Sequence, residues 1–506
     1  MFYLIMCDSV DIDRPNILVC LFDQLRYDVT ADAGPPVHTP NIDRLQHTGM
    51  TFDRAFTPAS ICSPARASLL TGDYPHSHGM LNNCHEPDAI CRELTPERPT
   101  FGERLESLGY TTTYVGKWHV SADGSPDDYG FRYCGGSEKD DGYTNWLSGY
   151  GISPSKLPLE EEQWTDRGVL MAASADMPVE ATRAYYLADL TIAALEHHAD
   201  NDCPFLHRLD FIGPHHPYIV PEPYASMYDP EEIEPWSSLT ESDVGKPQVH
   251  ENYREYRGVN HLDWDDWSEI IAKYFGYVTM LDEQLGRVLD CLDRLDLGNT
   301  AVIQTADHGD FTGSHGQFNK GPLMYDETYH IPLHIRWPGV TSPGSREDAF
   351  VRLLDLMPTI LEMAEASVPT TIHGRSIIPL LRGEEPEDWP DTVFAEYHGD
   401  EFGLYSQRMV RSERFKYVFN PPDVDEFYDL QSDPHELKNF IDNPAYADVV
   451  QAHQQELIMW MEETDDPILT WSRKLLDSTF QPANTWSVAA PSDPVTSSRS
   501  ERQAGD

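Results

Sequence analysis

An α/β fold built on a mostly parallel sheet is what this sequence predicts, and two observations carry that reading. Short apolar, β-branched runs recur through the first three hundred or so positions with helical patterns between them. Each run also stops abruptly at polar residues able to do chemistry. Asn16 to Phe22 reads as the first strand and gives way to Asp23 and Gln24. Thr100 to Leu108 has helical spacing, and the strand Thr111 to Val115 runs into Gly116, Lys117, Trp118 and His119. Phe205 to Ile212 is followed by Gly213, Pro214, His215 and His216. The long helical pattern Ile270 to Leu295 precedes the strand Thr300 to Ala306, which ends at Asp307, His308 and Gly309. Strand and helix in alternation place helices on both faces of a large central sheet. Ligands of such sheets bind beyond the carboxyl ends of the strands, so four endings of this kind converge on one edge.

The remaining chain divides from this core by composition. Pro221 to Trp267 is rich in Pro, acids and aromatics, including Trp236 and Trp264, and reads as a long excursion over the site. Past Arg382 three short runs, Asp391 to Tyr397, Leu404 to Val410 and Phe415 to Phe419, have the look of antiparallel strands, and Ala445 to Met461 that of a closing helix. The division is therefore a large domain over residues 1–385 and a small α+β domain with an antiparallel sheet over 386–475. Residues 476–506, rich in Ser, Pro, Asp and Ala, form a disordered tail in this reading.

Charge narrows the function. There are 85 Asp and Glu against 36 Lys and Arg, a net charge of −49, and only nine of the bases are Lys. Phosphate-contacting proteins need a cationic face, so nucleic acid is excluded as a partner. Acids scattered through every part of the chain, with Lys nearly absent, read as adaptation to high salt, where screening shortens their mutual repulsion. The eight Cys lack the spacing of a disulfide framework or a zinc site and read mostly as buried thiols. Phe2 to Cys7 is too short for a signal-peptide core, and no apolar run approaches the roughly 20 residues of a membrane span. The expectation is a soluble cytoplasmic protein with no membrane partner.

The most informative segment is Ile61, Cys62, Ser63, Pro64, Ala65, Arg66 through to Gly72. Pro64 suits the first turn of a helix, which places Cys62 at a helix N-terminus where free N–H groups favour negative charge, with Arg66 one turn on. Taken alone, Cys62 reads better as an ordinary buried Cys before a helix. Cys62, Ser63, Pro64, Ala65 and Arg66, however, match the Cys-x-Pro-x-Arg signature of type I sulfatases. The chain resembles that family in ordered blocks from Asn16 to about Phe440, among them "GYTTTYVGKWH", "FIGPHHPY", "TADHGDFTGSHG" and "FYDLQSDPHELKN". The resemblance implies an alkaline-phosphatase-like α/β domain and the oxidation of Cys62 to formylglycine by a formylglycine-generating or anaerobic sulfatase-maturating enzyme. Together with the acidic composition it fits a halophilic, archaeal source.

Carried over residue by residue, the resemblance puts a divalent-metal site on Asp23, Gln24, Asp307 and His308, completed by residue 62. Two carboxylates, an amide oxygen and one imidazole suit a hard cation, with Ca2+ the first choice and Mn2+ or Mg2+ the alternatives. The other family positions fall on Arg66, Lys117, His119, His215 and Lys320, cations and proton carriers of the kind that displacement at a sulfate ester requires. Two of only nine Lys thus stand where the family needs them. His76, His78, His216, His315 and His330 read as structural. The implied reaction is hydrolysis of an aryl or carbohydrate sulfate ester to alcohol and sulfate through a formylglycine-sulfate intermediate. The alternatives are a phosphonate monoester or phosphodiester hydrolase, whose members tend to lack the Lys and His of "GKWH", and an inactive carbohydrate-binding homologue. Trp146, Trp164, Trp236 and Trp264 are candidates to stack on sugar rings, though packing explains a Trp more often.

Overall fold

The computed structural model describes residues 14–96, 98–137, 140–239, 243–400 and 402–477. Its centre is an eight-stranded sheet of β1 (Asn16–Asp23), β2 (Met50–Phe52), β3 (Thr111–Gly116), β4 (Arg132–Tyr133), β5 (Phe205–Pro214), β6 (Thr300–Ala306), β7 (Leu333–Arg336) and β8 (Ser345–Glu347). The spatial order is β8-β2-β7-β6-β1-β5-β3-β4. The four central strands β6, β1, β5 and β3 pair in parallel, and β7 runs antiparallel to both its neighbours. Every residue of β1 from Ile17 to Asp23 is buried. That is why the run is continuously apolar rather than alternating: helices cover both faces of the sheet. Because these four strands are parallel and adjacent, Asp23, Lys117, His215 and Asp307 all emerge at one edge, as the sequence pattern requires.

One helix carries site residues. α1 (Cys62–Thr71) is buried at every position and carries no polar stripe, so it is a core helix aimed at the sheet edge. The second helix, α2 (Phe101–Ser107), is shorter than the predicted span because Thr100 is its N-cap, joined to Glu103 in a reciprocal capping box. The long helix α3 (Trp264–Arg294) begins six residues before the predicted Ile270, with Asp263 capping its first turn. Starting there brings Trp264 and Trp267 into the helix. The rest of the excursion packs on the loop carrying Lys320: Trp236 Nε1 donates to the Thr312 carbonyl at 2.9 Å, and the Tyr253 hydroxyl donates to the carbonyl of Lys320.

The C-terminal sheet is antiparallel and orders β9 (Thr392–Tyr397), β10 (Gln407–Ser412), β11 (Phe415–Phe419) and β12 (Glu426–Asp429), with α4 (Ala447–Glu463) against it. β10 starts three residues after the predicted Leu404, which is 90% exposed. The fourth strand went unseen in the sequence because its run is only EFYD and half its residues are acidic. A final helix spans Leu469–Leu476, while 478–506 and 1–13, including Phe2 to Cys7, lie outside the described residues. Four of the thiols, Cys20, Cys62, Cys84 and Cys291, are buried, and Cys203 is disulfide-bonded. Among the described residues no helix is long and apolar enough to cross a membrane.

Several histidines in this frame are buried as neutral rings. Burial lowers His78 and His334 to about 3 and His198 and His330 to about 4. His330 is held flat between Tyr27 and Phe56, with centroids 3.6 and 4.7 Å away. Unfolded, all four protonate below about pH 6.5, so the unfolded chain binds more protons between pH 4 and 6.5 and stability rises with pH across that window. Burial raises Asp282 to about 6 and Glu436 to about 7, which opposes the trend with fewer groups. The urea midpoint at pH 5 should therefore lie below that at pH 7, by up to about 1.4 kcal/mol per pH unit for each net histidine. An unchanged midpoint would show that these rings titrate normally in the folded protein.

Candidate active site

Gly116 makes the bend that delivers Lys117. It sits at φ +101°, and a Cβ there would lie 2.0 Å from the Asp210 carbonyl, so only Gly lets β3 and β5 approach this closely before the chain turns. At the neighbouring strand end, Asp307 Oδ1 accepts from the backbone N–H groups of Gln24 (3.0 Å) and His308 (3.0 Å), tying the ends of β1 and β6 together. Helix α1 then points Cys62 into the same space.

At the centre is Arg66. Its side chain is 1% exposed, and Nε meets Asp307 at 2.8 Å, Nη1 meets Asp210 at 3.0 Å, and Nη2 meets Asp23 at 3.2 Å. Nη1 also donates to the Lys117 carbonyl at 2.8 Å. Lys117 Nζ lies 2.5 Å from Asp23 Oδ2 and 3.7 Å from Cys62 Sγ. Cys62 Sγ is 3.3 Å from His308 Nε2 and 3.8 Å from Asp23 Oδ1.

Asp23, Cys62, Asp307 and His308 are all buried, and their ligand atoms lie within 4.8 Å of one another. His308 Nδ1 is tied to the Gly309 carbonyl at 2.9 Å, which turns Nε2 inward. Metal-ligating imidazoles are commonly oriented in this way. The donor set therefore fits a hard divalent cation. Gln24 stands at φ +69° beside it, but its amide oxygen accepts from Lys320 Nζ at 2.8 Å and its amide nitrogen donates to Asp310 at 2.5 Å. The predicted ligand thus faces Lys320, with one lone pair of its oxygen engaged.

The electrostatics separate the groups. Burial and the neighbouring Cys62 work against ionising Asp23, yet Lys117, His215 and Arg66 outweigh them and hold it at about 2. Burial, with Asp23 alongside, raises Asp307 instead. Burial would raise the Cys62 thiol, but Lys117, Lys320 and His308 bring it well below its ordinary value. Burial and Lys117 keep His119 neutral, down at about 4. His215 Nε2 and Lys320 Nζ are 3.0 Å apart.

All of the predicted site residues therefore come together. Three of the other histidines lie elsewhere in networks of their own, His76 on Glu396 (2.7 Å), His78 on Ser68 (3.0 Å) and His315 on Glu327 (3.2 Å), stacked against Tyr325, whereas His216 stacks on His215 at the edge of the site, with centroids 4.5 Å apart. Sequence reasoning missed Asp210, Asp310 and His85. Asp210 gave a signal, a lone acid inside the apolar run of β5. Asp310 lies three residues past Asp307 in the loop after β6 and accepts from Gln24 and from the Tyr218 hydroxyl at 2.6 Å. Nothing in the sequence pointed to His85, which meets His119 at 2.7 Å.

Residues 15–366 match the model of the Sulfatase family. The chain belongs to the sulfatase family. Residues 313–463 also match the C-terminal model of N-sulphoglucosamine sulphohydrolase. An uncharacterized sulfatase of Escherichia coli is 30% identical over 473 residues, covering 91% of this chain and 90% of that one. An N-acetylglucosamine-6-O-sulfatase of Bacteroides thetaiotaomicron is 27% identical, covering 89% and 86%. Among solved structures, the phosphonate monoester hydrolase of Agrobacterium radiobacter superposes with a TM-score of 0.77 at 26% identity, covering 89% of this chain and 96% of that one. The alkaline-phosphatase-like fold is thereby shared, and this sulfatase is a sulfuric ester hydrolase.

Arg66 is the cation shared by three buried carboxylates; without it Asp23 keeps Lys117 and Asp210 keeps Arg208, each at 2.5 Å, and Asp307 loses its guanidinium. In metal-free protein, Arg66→Leu should lower stability by about 3–5 kcal/mol, the usual cost of leaving buried charges unpaired. Urea denaturation of the two proteins in chelator reads this directly, and equal midpoints would mean that Asp307 needs no such partner.

Proposed function

We propose that this sulfatase hydrolyses sulfate monoesters, of an aryl alcohol or a carbohydrate, at a formylglycine made from Cys62 by a maturating enzyme. The observation that carries the reading is Cys62 itself, the first residue of a buried helix, within 4 Å of Asp23, His308 and Lys117. Asp23, Gln24, Asp307, His308 and residue 62 would hold one divalent cation, Ca2+ first, with Mn2+ or Mg2+ as alternatives. Once bound, such an ion polarises the ester oxygens and favours ionised ligands. Formylglycine at 62 supplies an oxygen nucleophile in its hydrated form, in place of sulfur.

The chain's own residues do the rest. Lys117 sits beside residue 62 and neutralises charge there, while Arg66 fixes Asp23 and Asp307 in place. His119, kept neutral, takes a proton from the group at 62. Lys320 and His215 offer two adjacent nitrogens for the departing alcohol oxygen, one charged and one able to carry a proton. A carbohydrate sulfate has the support of the relative acting on N-acetylglucosamine 6-sulfate. A phosphonate monoester is the second reading, favoured by the solved structure with that activity. Lys117 and His119, both aimed at residue 62, weigh against it.

Assays on an aryl sulfate, sulfated sugars, choline sulfate and a phosphonate monoester test the assignment. Sulfate esters should turn over fastest, and a preference for the phosphonate would overturn it. Peptide mass spectrometry should find residue 62 about 18 Da lighter than Cys, as an aldehyde in place of a thiol requires. Full activity with an intact thiol would end the formylglycine reading. Lys117→Ala should lower turnover by about 100-fold or more, as expected for a charge acting in the transition state. Unchanged turnover would remove Lys117 from the reaction.

The acidic surface supports a second proposal, that the protein is built for molar salt. Of the eight Lys among the described residues, four, at 117, 246, 320 and 416, are buried, so the described surface is poorer still in Lys than the composition implies. Screening falls from about 10 Å at 0.1 M to about 3 Å at 1 M, so repulsion between neighbouring carboxylates weakens while short contacts persist. Thermal melts from 0.1 to 3 M KCl should show Tm rising steeply. A flat curve would show the acidity to be incidental.

A further inference from the structure

We propose that His85 is a positioning residue for His119, holding it in the tautomer and orientation that leave its Nδ1 lone pair turned toward residue 62. The inference rests on the reading of His119 as the base. His119 Nε2 lies 2.7 Å from His85 Nδ1, with the ring centroids 4.5 Å apart, and His85 Nε2 lies 3.1 Å from Glu86 Oε1. A carboxylate only accepts, so the hydrogen of neutral His85 sits on Nε2 and its Nδ1 is left as an acceptor. The hydrogen of neutral His119 then sits on Nε2, and its other ring nitrogen, Nδ1, carries the lone pair. That nitrogen is buried, and a hydrogen bond joins the His119 ring to the Cys62 side chain. A carboxylate–histidine–histidine series thus fixes by hydrogen bonds alone which nitrogen of His119 can receive a proton.

The backbone of His119 is fixed separately. It stands at φ +61°, a left-handed conformation that costs about 1 kcal/mol or more for a residue with a side chain, and it stays there because its carbonyl is held. Ser63 Oγ donates to that carbonyl at 2.5 Å and the Cys84 thiol at 3.5 Å, while the Cys84 N–H donates to Ser63 Oγ at 3.2 Å. One loop, residues 83–86, therefore clamps both ends of His119: Cys84 through the backbone and His85 through the ring. His85 and His119 also line a cavity of about 220 Å3 with Lys117 and Trp118. The His85 side chain is half exposed, so replacing it leaves the core intact.

The test uses the mature full-length enzyme and steady-state hydrolysis of para-nitrophenyl sulfate, comparing wild type with His85→Phe, His85→Asn, His119→Ala and His85→Phe/His119→Ala. Phe keeps the ring without an acceptor; Asn restores an acceptor near the place of Nδ1. The expected result is a kcat loss of about 10–100-fold in His85→Phe with KM unchanged, recovery to within a few-fold in His85→Asn, and a double variant no worse than His119→Ala. Wild-type kcat in His85→Phe beside a crippled His119→Ala overturns the positioning role and leaves the base standing. A change in KM alone, meaning that His85 touches substrate, also overturns it, as does equal loss in the Phe and Asn variants or a kcat loss that follows a fall in Tm. Full activity in His119→Ala overturns the base itself, and the proposal with it.

Discussion

The structure of the site depends on one ion cluster, the guanidinium of Arg66 set among Asp23, Asp210 and Asp307. Three carboxylates gathered in a dry space would repel one another and raise their own pKa values until some protonated. A planar cation with five N–H groups satisfies all three at once and still reaches the Lys117 carbonyl. Arg66 lies one helical turn beyond Cys62, so the group that neutralises the acids also fixes where the helix presents its first residue. Lysine could neutralise one acid there but could not span three.

The sheet explains why these particular acids are available. Parallel strands β6, β1, β5 and β3 lie side by side: Asp307 follows the last pair of β6, Asp23 closes β1, and Asp210 lies within β5, paired with Leu21 and Gly116. The register makes the strand ends level, and the bend at Gly116 allows β3 to turn beside β5. Positions of this kind are costly to stability, as φ values of +69° at Gln24 and +61° at His119 show, and the surrounding hydrogen bonds hold them in place. The C-terminal sheet reaches the same region through Asp400, whose carboxylate accepts from the backbone and side chain of Asn83, while Asn83 in turn accepts from the Ser63 N–H. The start of the Cys62 helix is thereby coupled to the small domain.

Much of this was legible in the sequence. The four central strands were readable because burial on both faces makes a parallel strand continuously apolar, and their polar endings announced the site. The signature from Cys62 to Arg66 located the helix that completes it. Strand Glu426–Asp429 was hidden because its acidic residues pair internally, Glu426 with His250 at 3.1 Å and Asp429 with Arg414 at 2.8 Å, a compensation that no local pattern reveals. Asp210 and His85 were missed for the same reason. Their importance lies in partners far along the chain, Arg66 144 residues away and His119 34 away, and not in their neighbours. The direction in which Gln24 points was equally beyond reach, since it depends on Lys320.

The central claim is that Asp23, Asp307 and His308, braced by Arg66, form the metal centre around residue 62. Metal content after dialysis against calcium, measured by inductively coupled plasma mass spectrometry, tests it most directly. The account predicts about one ion per chain in wild type and in Lys117→Ala, and almost none in Asp307→Asn or His308→Ala, because ligand loss removes the cation whereas a neighbouring charge does not hold it. One full equivalent retained by both Asp307→Asn and His308→Ala would contradict it.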